Sequence, residues 1–199
     1  MISMSQPRND FNDHRDPIAT AHDTIVFQTP WFAIATRSLT GDDRPYYIML
    51  VPDFVVVIAR DCQGRWLLVE QERPAVGRRT WEWASGHVET ARGETPEQAA
   101  RRELVEETGH DIDDDHLIPL GSFHPDTGRL ANRMWCYLAL DAAPVDPHDP
   151  RLAGREELDL RRVMWDGSLA QLLQRPEFAC GSHLGVVALA ATQGRVTLT

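Results

Sequence analysis

The sequence predicts an α/β (α+β) protein, because strand and helix patterns follow one another along the chain. The β-branched run Asp53–Arg60 is typical of a buried strand, and the turn Asp61–Gly64 joins it in a hairpin to Trp66–Glu70. A strongly capped helix is predicted over Thr95–Gly109, and a packed terminal helix over Ser182–Ala191. These elements indicate one main domain over residues 51–199.

Two shorter segments precede this domain. Residues 1–22 are polar and predict a loosely held arm. Residues 23–50 predict a small antiparallel sheet, with strand composition at Thr24–Thr29, Trp31–Leu39 and Tyr46–Val51 and turn chemistry at Gly41–Pro45. After the capped helix, further strands are predicted at His116–Ser122, Met134–Leu140 and Leu160–Trp165, a mobile loop at Asp141–Arg155, and a short helix capped by Ser168 or Asp166.

Composition limits the classes of partner. A formal charge of −10 over 199 residues argues against a nucleic-acid polymer, because phosphate backbones need a basic surface. Cys62, Cys136 and Cys180 form no metal-binding spacing and cannot all pair, which favours a reducing compartment. No signal-peptide core and no membrane-length apolar run is visible. We expect a cytoplasmic protein without membrane or nucleic-acid partners, whose eight histidines are structural or exposed.

The capped helix has clear end signals. Thr95 and Gln98 form a capping box, and Pro96 occupies the first helical position, where its missing N–H has no cost. Gly93 allows the turn that leads in, and Gly109 can adopt the left-handed conformation that ends the helix. The helix therefore extends over a segment that is unusually rich in glutamate.

Three carboxylates share one face of this helix. Glu103, Glu106 and Glu107 are spaced i, i+3, i+4, with Ala100, Leu104 and Thr108 on the packing face. If the acidic face is solvated, each like-charge pair costs only about 0.2–0.5 kcal/mol. If it is enclosed, two carboxylates would repel by about 3 kcal/mol at an effective dielectric constant near 20 and would need a cation. Oxygen ligands suit Mg²⁺ or Mn²⁺, but spacing alone leaves both alternatives open.

The residues around the carboxylates carry a resemblance. Glu94, seven further residues, and then Arg102-Glu103-Leu104-x-Glu106-Glu107-x-Gly109 resemble the signature of the Nudix hydrolases. Two departures stand out. Seven residues rather than five separate Gly86 from Glu94, which indicates a two-residue insertion around Thr90–Arg92, and His110 replaces the closing aliphatic residue.

The segment before the signature is similar to one branch of this family, the ADP-ribose pyrophosphatases and related nucleoside-diphosphate-sugar hydrolases. Gln71-x-Arg73 matches a Gln-x-Arg segment of that branch, whereas Trp83–Ser85 departs from its Leu-Pro-Ala. Pro125, fifteen residues beyond His110, lies close to the position of a proline in that branch. The resemblance implies a Nudix α/β/α sandwich with a mixed sheet, and a homodimer built by the N-terminal strands.

The resemblance also implies roles for individual residues. Mg²⁺, with Mn²⁺ possible, would be held by Glu103, Glu106, Glu107 and a carbonyl of Ser85 or Gly86. Arg102 would orient a carboxylate, and Glu94 would support the loop. Glu157 or Glu156, or a helix carboxylate itself, would accept a proton, although the residues alone favour a solvated glutamate pair at positions 156–157. Substrate contacts are predicted at Trp31, Arg73, Arg78, Glu82 and Arg129. Ordinary solvated arginines, a loop salt bridge and simple packing of the tryptophan are the alternatives.

The function implied is Mg²⁺-dependent hydrolysis of a nucleoside diphosphate linked to another moiety. ADP-ribose or a similar nucleotide sugar is the expected substrate, and a nucleoside monophosphate and a sugar phosphate are the expected products. A nucleoside triphosphate pyrophosphohydrolase would use the same signature. A binding module that recognises a nucleotide sugar without cleaving it is the alternative from another class.

Overall fold

The structure, a computed structural model, describes residues 23–39, 41–152 and 160–199. The predicted arm over residues 1–22 and the predicted bases Glu156 and Glu157 lie outside the described residues. The strands are β1 Thr24–Gln28, β2 Ala33–Leu39, β3 Asp42–Leu50, β4 Phe54–Asp61, β5 Trp66–Arg73, β6 Arg78–Glu82, β7 Ala84–His87, β8 His110–Asp111, β9 Leu117–Phe123, β10 Met134–Pro144 and β11 Arg161–Trp165. The α-helices are α1 Pro96–Glu103, α2 Leu169–Leu173 and α3 Gly181–Thr192, a π-helix spans Leu104–Thr108, and 3₁₀ turns span Thr90–Arg92, Asp114–His116 and Pro150–Leu152.

The N-terminal segment forms the predicted small antiparallel sheet, in the order β1-β2-β3. Its third strand begins at Asp42 rather than at Tyr46, because Leu39 already pairs with Asp42. Gly41 has a φ of 83°, a conformation that glycine adopts without steric cost. The predicted turn over Gly41–Pro45 is therefore shorter than expected.

The main sheet is mixed, as predicted. Its central path runs β11-β5-β4-β10-β8, and β6, β7 and β9 pair with β5, β4 and β10 respectively. Strand β10 lies parallel to β4, whereas the other pairings are antiparallel. Strand β4 is therefore central in the sheet.

Alternate residues of β4 enter two different hydrophobic cores. Val56 and Ile58 pack with residues of α2 and α3 on one face of the sheet. Val55 and Val57 pack with residues of α1 on the other. Full burial of each such aliphatic side chain stabilises the fold by about 1.5–3 kcal/mol. The helices thus cover both faces, and the predicted α/β/α sandwich is confirmed.

The helix that carries the glutamates begins as predicted and then changes type. Thr95 and Gln98 make the capping box, with hydrogen bonds of 2.9 and 3.2 Å. The α-helix ends at Glu103, however, and the backbone continues as a π-helix to Thr108, whose hydroxyl donates to the Leu104 carbonyl at 2.7 Å. Gly109, with a φ of 72°, ends the segment. The acidic residues therefore lie at a junction between two helical geometries.

The predicted loop over Asp141–Arg155 is partly ordered into regular structure. Strand β10 extends to Pro144, because Ala143 and Pro144 pair with Asp111 and His110 of β8. A 3₁₀ turn follows at Pro150–Leu152. Among the described residues, no helix has the length and apolar character needed to cross a membrane.

Candidate active site

The signature residues line one cavity of about 1060 Å³. It lies between strands β3 to β7, helix α1 with its π-helical continuation, and the start of α3. Its polar lining includes Gln71, Arg73, Glu82, Ser85, Gly86, Arg102, Glu103, Glu106 and Glu107. Its apolar lining includes Met49, Val51, Phe54 and Leu130. The carboxylates predicted to act together are thus brought into a single chamber.

Two of the three carboxylates are buried. Glu103 is 2% exposed and Glu107 is 1% exposed, whereas the Glu106 side chain is 17% exposed. The backbone N–H of Ser85 donates to Oε2 of Glu107 at 2.8 Å. Since a buried charge is costly without compensating partners, the enclosed alternative for this acidic face is the one that the structure adopts.

Gly86 allows the close approach of β7 to the acidic helix. A Cβ placed on residue 86 would lie 1.9 Å from Oε1 of Glu103, far inside van der Waals contact. The backbone of the strand and the Glu103 carboxylate therefore meet only because residue 86 has no side chain. This position allows the backbone of β7 to lie against the carboxylates.

Arg102 connects the acidic cluster to the loop before the helix. Its guanidinium forms a two-pronged pair with Glu94 at 2.7 and 3.0 Å and donates to the His87 carbonyl at 2.9 Å. The same group donates to Glu103 at 2.6 Å and to Glu106 at 3.3 Å. The hydrogen bond to Glu94 raises the pKa of Arg102 above its usual value, so this cation persists at any working pH.

Glu94 in turn holds the loop. Its second oxygen accepts from the Glu89 N–H at 2.7 Å. Burial acts to raise the pKa of the Glu94 carboxyl, but the hydrogen bonds from Arg102 and from the Glu89 backbone outweigh it, and the pKa lies below its ordinary value. Thr90–Arg92, around which the two-residue insertion is predicted, form a 3₁₀ turn within this loop, and Arg92 is one of the residues that line the cavity.

The donor chemistry of the cavity fits a hard divalent cation. The oxygens of Glu103, Glu106 and Glu107 converge with the Ser85–Gly86 backbone on one chamber, and Mg²⁺ prefers oxygen ligands of this kind. Within the part of the chain that the structure describes, no three acidic, histidine or cysteine side chains surround one point at ligand distance. Both Glu103 and Glu106 instead accept from Arg102. These bonds engage Oε1 of Glu103 and Oε2 of Glu106, so Arg102 fixes the orientation of both carboxylates in the chamber.

Arg73 and Glu82, both predicted as substrate contacts, line the cavity and pair with each other. The Arg73 guanidinium donates twice to Glu82, at 2.8 and 2.6 Å, and the Thr80 hydroxyl donates to the same carboxylate at 2.6 Å. Burial acts to raise the pKa of Glu82, but the bonds from Arg73 and Thr80 prevail and lower it. The Arg73 side chain is 44% exposed, so its remaining donors can reach a ligand in the cavity.

Three other predicted contact residues are not among the residues that line this cavity. Trp31 is 72% exposed at the turn between β1 and β2. Arg78 is exposed at the start of β6. Arg129 lies over the ring of Tyr46, 5.4 Å from its centroid, and donates to the Gly128 carbonyl. Within this chain, these three side chains lie apart from the acidic cluster.

Sequence reasoning missed two parts of the site. The apolar lining depends on the N-terminal sheet, because Met49 of β3 forms backbone hydrogen bonds with Arg129 and Ala131 on either side of Leu130. His183 also lines the cavity, 2% exposed, with its Nδ1 accepting from the Trp83 N–H. Both depend on contacts between residues about 80 to 100 positions apart, for which no local pattern gives a signal.

Comparison with known proteins agrees with this geometry. The solved structure of an ADP compounds hydrolase superposes with a TM-score of 0.71 at 22% identity, covering 88% of this chain and 95% of that chain, and this likeness establishes a shared fold. No curated protein matches the sequence. The family model described as NUDIX domain matches residues 49–176, which is more than half of the chain. The chain therefore belongs to the Nudix family and is a Nudix pyrophosphohydrolase, an enzyme class that generally uses divalent metal ions.

Proposed function

We propose that the protein hydrolyses the diphosphate linkage of a nucleotide sugar, with ADP-ribose or a close analogue as its substrate and Mg²⁺ as its metal. The observation that carries this proposal is a cavity lined both by buried carboxylates and by the apolar side chains Met49, Val51 and Leu130. A charged diphosphate suits the polar lining and a flat base or sugar suits the apolar lining. The shared fold with an ADP compounds hydrolase supports an ADP-containing substrate.

Metal binding, phosphate binding and proton acceptance are assigned to individual residues. Glu103, Glu106 and Glu107, with a carbonyl of Ser85 or Gly86, would hold Mg²⁺, which when bound neutralises diphosphate charge and lowers the pKa of water. Arg73 donates to a phosphate oxygen, and Arg102 keeps Glu103 and Glu106 oriented. Glu157, Glu156 or a helix carboxylate accepts the proton of the attacking water.

The reaction balances as a simple hydrolysis. The water oxygen forms a bond to one phosphorus, and the bond from that phosphorus to the bridging oxygen breaks. The bridging oxygen leaves with the other phosphate, and one proton passes to the base. The products are a nucleoside monophosphate and a sugar phosphate.

The first test is a substrate panel with Mg²⁺ and with Mn²⁺. ADP-ribose, other nucleotide sugars, NADH, diadenosine phosphates and nucleoside triphosphates are compared for released monophosphate and pyrophosphate. We expect AMP and ribose phosphate from ADP-ribose at the highest kcat/KM. Faster release of pyrophosphate from triphosphates would instead identify a triphosphate pyrophosphohydrolase, and tight binding without turnover would identify a binding module.

The second test is Glu107→Gln, which removes the charge and keeps an oxygen for the Ser85 N–H. We expect kcat to fall by roughly 10²- to 10⁴-fold, the usual contribution of a proton-transferring or equivalent charged group. The matched control is Glu97→Gln, an exposed glutamate in the first turn of the same helix. An undiminished rate in Glu107→Gln would remove the acidic helix from the mechanism.

We also propose that the active protein is a homodimer formed through the N-terminal sheet. All five residues of β1 are exposed, among them Ile25, Val26 and Phe27, and Trp31 follows at the adjacent turn. Such an apolar edge strand is a ready surface for a second copy of the chain. In a dimer, Trp31 could reach a base in the partner's cavity. Light scattering of Phe27→Asp tests this, with a monomer expected where the native protein is a dimer.

The proposed compartment is the cytoplasm. Cys62, Cys136 and Cys180 are all free thiols, and Cys62 is exposed. Free exposed thiols persist best in a reducing environment. Fractionation of native cells with an antibody against the protein tests this placement.

A further inference from the structure

Trp83 lies where the chain leaves one strand ladder and joins another. Glu82, the residue before it, pairs with Val69 of β5, and Ala84, the residue after it, pairs with Val57 of β4. Trp83 itself belongs to neither ladder and is 0% exposed. Its backbone N–H is therefore a buried donor that the sheet does not satisfy, and such a donor costs about 1–3 kcal/mol if it is left without an acceptor.

His183 supplies that acceptor. Nδ1 of its ring lies 3.0 Å from the Trp83 nitrogen, and the residue is 2% exposed at the start of α3. Since a backbone amide can only donate, the ring must present a lone pair at Nδ1 and carry its proton on Nε2. Burial favours this neutral form, because it lowers the pKa of His183 to about 4.

The same short segment reaches the acidic cluster two residues later. The Ser85 N–H donates to Glu107 at 2.8 Å, and Gly86 lies against Glu103. Besides its pairing with β4, which begins at Ala84, the backbone from Trp83 to Gly86 is held at one end by a ring from α3 and at the other end by a carboxylate of the π-helix. Only Ala84 separates the Trp83 amide from the Ser85 amide. A displacement of the Trp83 backbone would therefore also displace the Ser85 backbone.

We propose that His183 is a positioning residue for the acidic centre: by accepting the Trp83 N–H, it sets the Ser85–Gly86 backbone against Glu103 and Glu107. Its effect on hydrolysis rests on the proposed function, whereas its effect on the geometry of the carboxylates does not. His183 touches no reacting atom in this role. It acts through the strand whose Ser85 N–H donates to Glu107.

The alternative is that His183 only fills space in the core beside Val186 and Val187. Two substitutions of matched shape separate the possibilities. In His183→Asn, a side-chain oxygen can occupy the place of Nδ1 and accept the same hydrogen bond. In His183→Leu, a methyl group stands there and no acceptor remains. Val187→Ala, a buried change in the same helix, reproduces a loss of packing without touching the Trp83 hydrogen bond.

The experiment uses the whole protein without nucleotide. Mn²⁺ affinity is measured by electron paramagnetic resonance titration, and amide hydrogen exchange at Trp83 and Ser85 is measured by NMR at pH 7. For His183→Leu we expect Mn²⁺ to bind roughly 10- to 100-fold more weakly, the usual effect of losing a supporting hydrogen bond behind a metal site. We expect both amides to exchange faster than in Val187→Ala, and His183→Asn to restore both properties towards those of the native protein.

Two outcomes would overturn the proposal. One is that His183→Leu matches Val187→Ala in Mn²⁺ affinity and in exchange at Ser85. The other is that His183→Asn is as impaired as His183→Leu, because the acceptor would then be irrelevant. If the native protein hydrolysed no nucleotide at all, the proposed function would fail while these metal and exchange measurements would still decide the role of His183.

Discussion

Gly86 and Glu103 approach each other so closely that a single methyl group on residue 86 would lie 1.9 Å from Oε1 of the carboxylate. No special backbone angle requires glycine here, since Gly86 is not among the glycines with positive φ. Glycine is required because the β7 backbone and the Glu103 carboxylate are in close contact at this position. A substitution at residue 86 therefore tests whether this contact matters for activity.

Gly86→Ala should displace Glu103 from the strand edge while leaving the sheet paired. Because Glu103 is buried, it cannot turn aside freely, and we expect kcat/KM to fall by roughly 100-fold or more. The control is Gly185→Ala in α3, where an added Cβ meets nothing within 4 Å. Steady-state kinetics on both variants gives the comparison, and equal activities would show that the close contact is dispensable.

Arg102→Lys should destabilise the protein, because one ammonium group cannot replace a fork that bonds Glu94 and His87 and also serves Glu103. We expect the free energy of unfolding to fall by about 1–3 kcal/mol. Urea denaturation measures it. Arg92→Lys is the matched control, since the Arg92 side chain is 79% exposed in its pair with Glu89 and should change stability by less than about 0.5 kcal/mol. A similar effect in both would contradict the structural role of Arg102.

Lowering the pH should decrease the free energy of unfolding, because His183 is buried in its neutral form. Its pKa is about 4 in the folded protein and about 6.5 when exposed. Between these pH values the unfolded chain binds a proton that the folded protein excludes, so the free energy of unfolding falls as the pH is lowered from 6.5 to 4. The neighbouring Glu82 favours the charged ring and Arg73 opposes it.

The size of this effect is about 3 kcal/mol over the whole range. Denaturant curves at several pH values for the native protein and for His183→Leu isolate it, because the other titrating groups are common to both. The stability advantage of the native protein should shrink as the pH falls. An advantage that stays constant from pH 7 to pH 4 would mean that the ring is accessible to protons in the folded state.

Arg73→Gln should weaken substrate binding, since Arg73 lines the cavity and can donate to a phosphate oxygen. A hydrogen bond to a charged group is worth about 1.5–3 kcal/mol, so we expect KM to rise by roughly 10- to 100-fold. Arg78→Gln is the control, because Arg78 faces Arg73 in the β5–β6 register and is exposed outside the cavity lining. Equal increases in KM for both variants would place Arg78 in the substrate site as well.

The sequence was sufficient for what depends on local pattern. The capping box at Thr95, the buried strand at β4 and the mixed sheet follow from capping chemistry, β-branched runs and the signature resemblance. The change from α-helix to π-helix after Glu103 was not predictable, because the i, i+3, i+4 spacing of glutamates suits an α-helix. The contact between Ser85 and Glu107 that accompanies the π-helix is made across the fold.

The same distinction separates the parts of the site. The acidic residues are recognisable because their spacing is local. The mutual pairing of Arg73 and Glu82 depends on the register of β5 with β6, and the contact of His183 with Trp83 depends on how α3 packs on the sheet. A sequence pattern identifies the residue types in these pairs but does not show which residues contact each other. Three-dimensional contacts were needed to distinguish Arg73, which lines the cavity, from Arg78, which does not.

Tyr46 and Met49 attach the small N-terminal sheet to the loop around Gly128 and Leu130, through the Tyr46 hydroxyl and a backbone bridge. The region matched by the family ends at residue 176 and begins only at residue 49, so it omits most of this sheet and all of α3. A protein cut to those limits would keep every signature glutamate, yet it would lose the support on two sides of its chamber. The segment that the family model matches is thus smaller than the smallest piece expected to work alone.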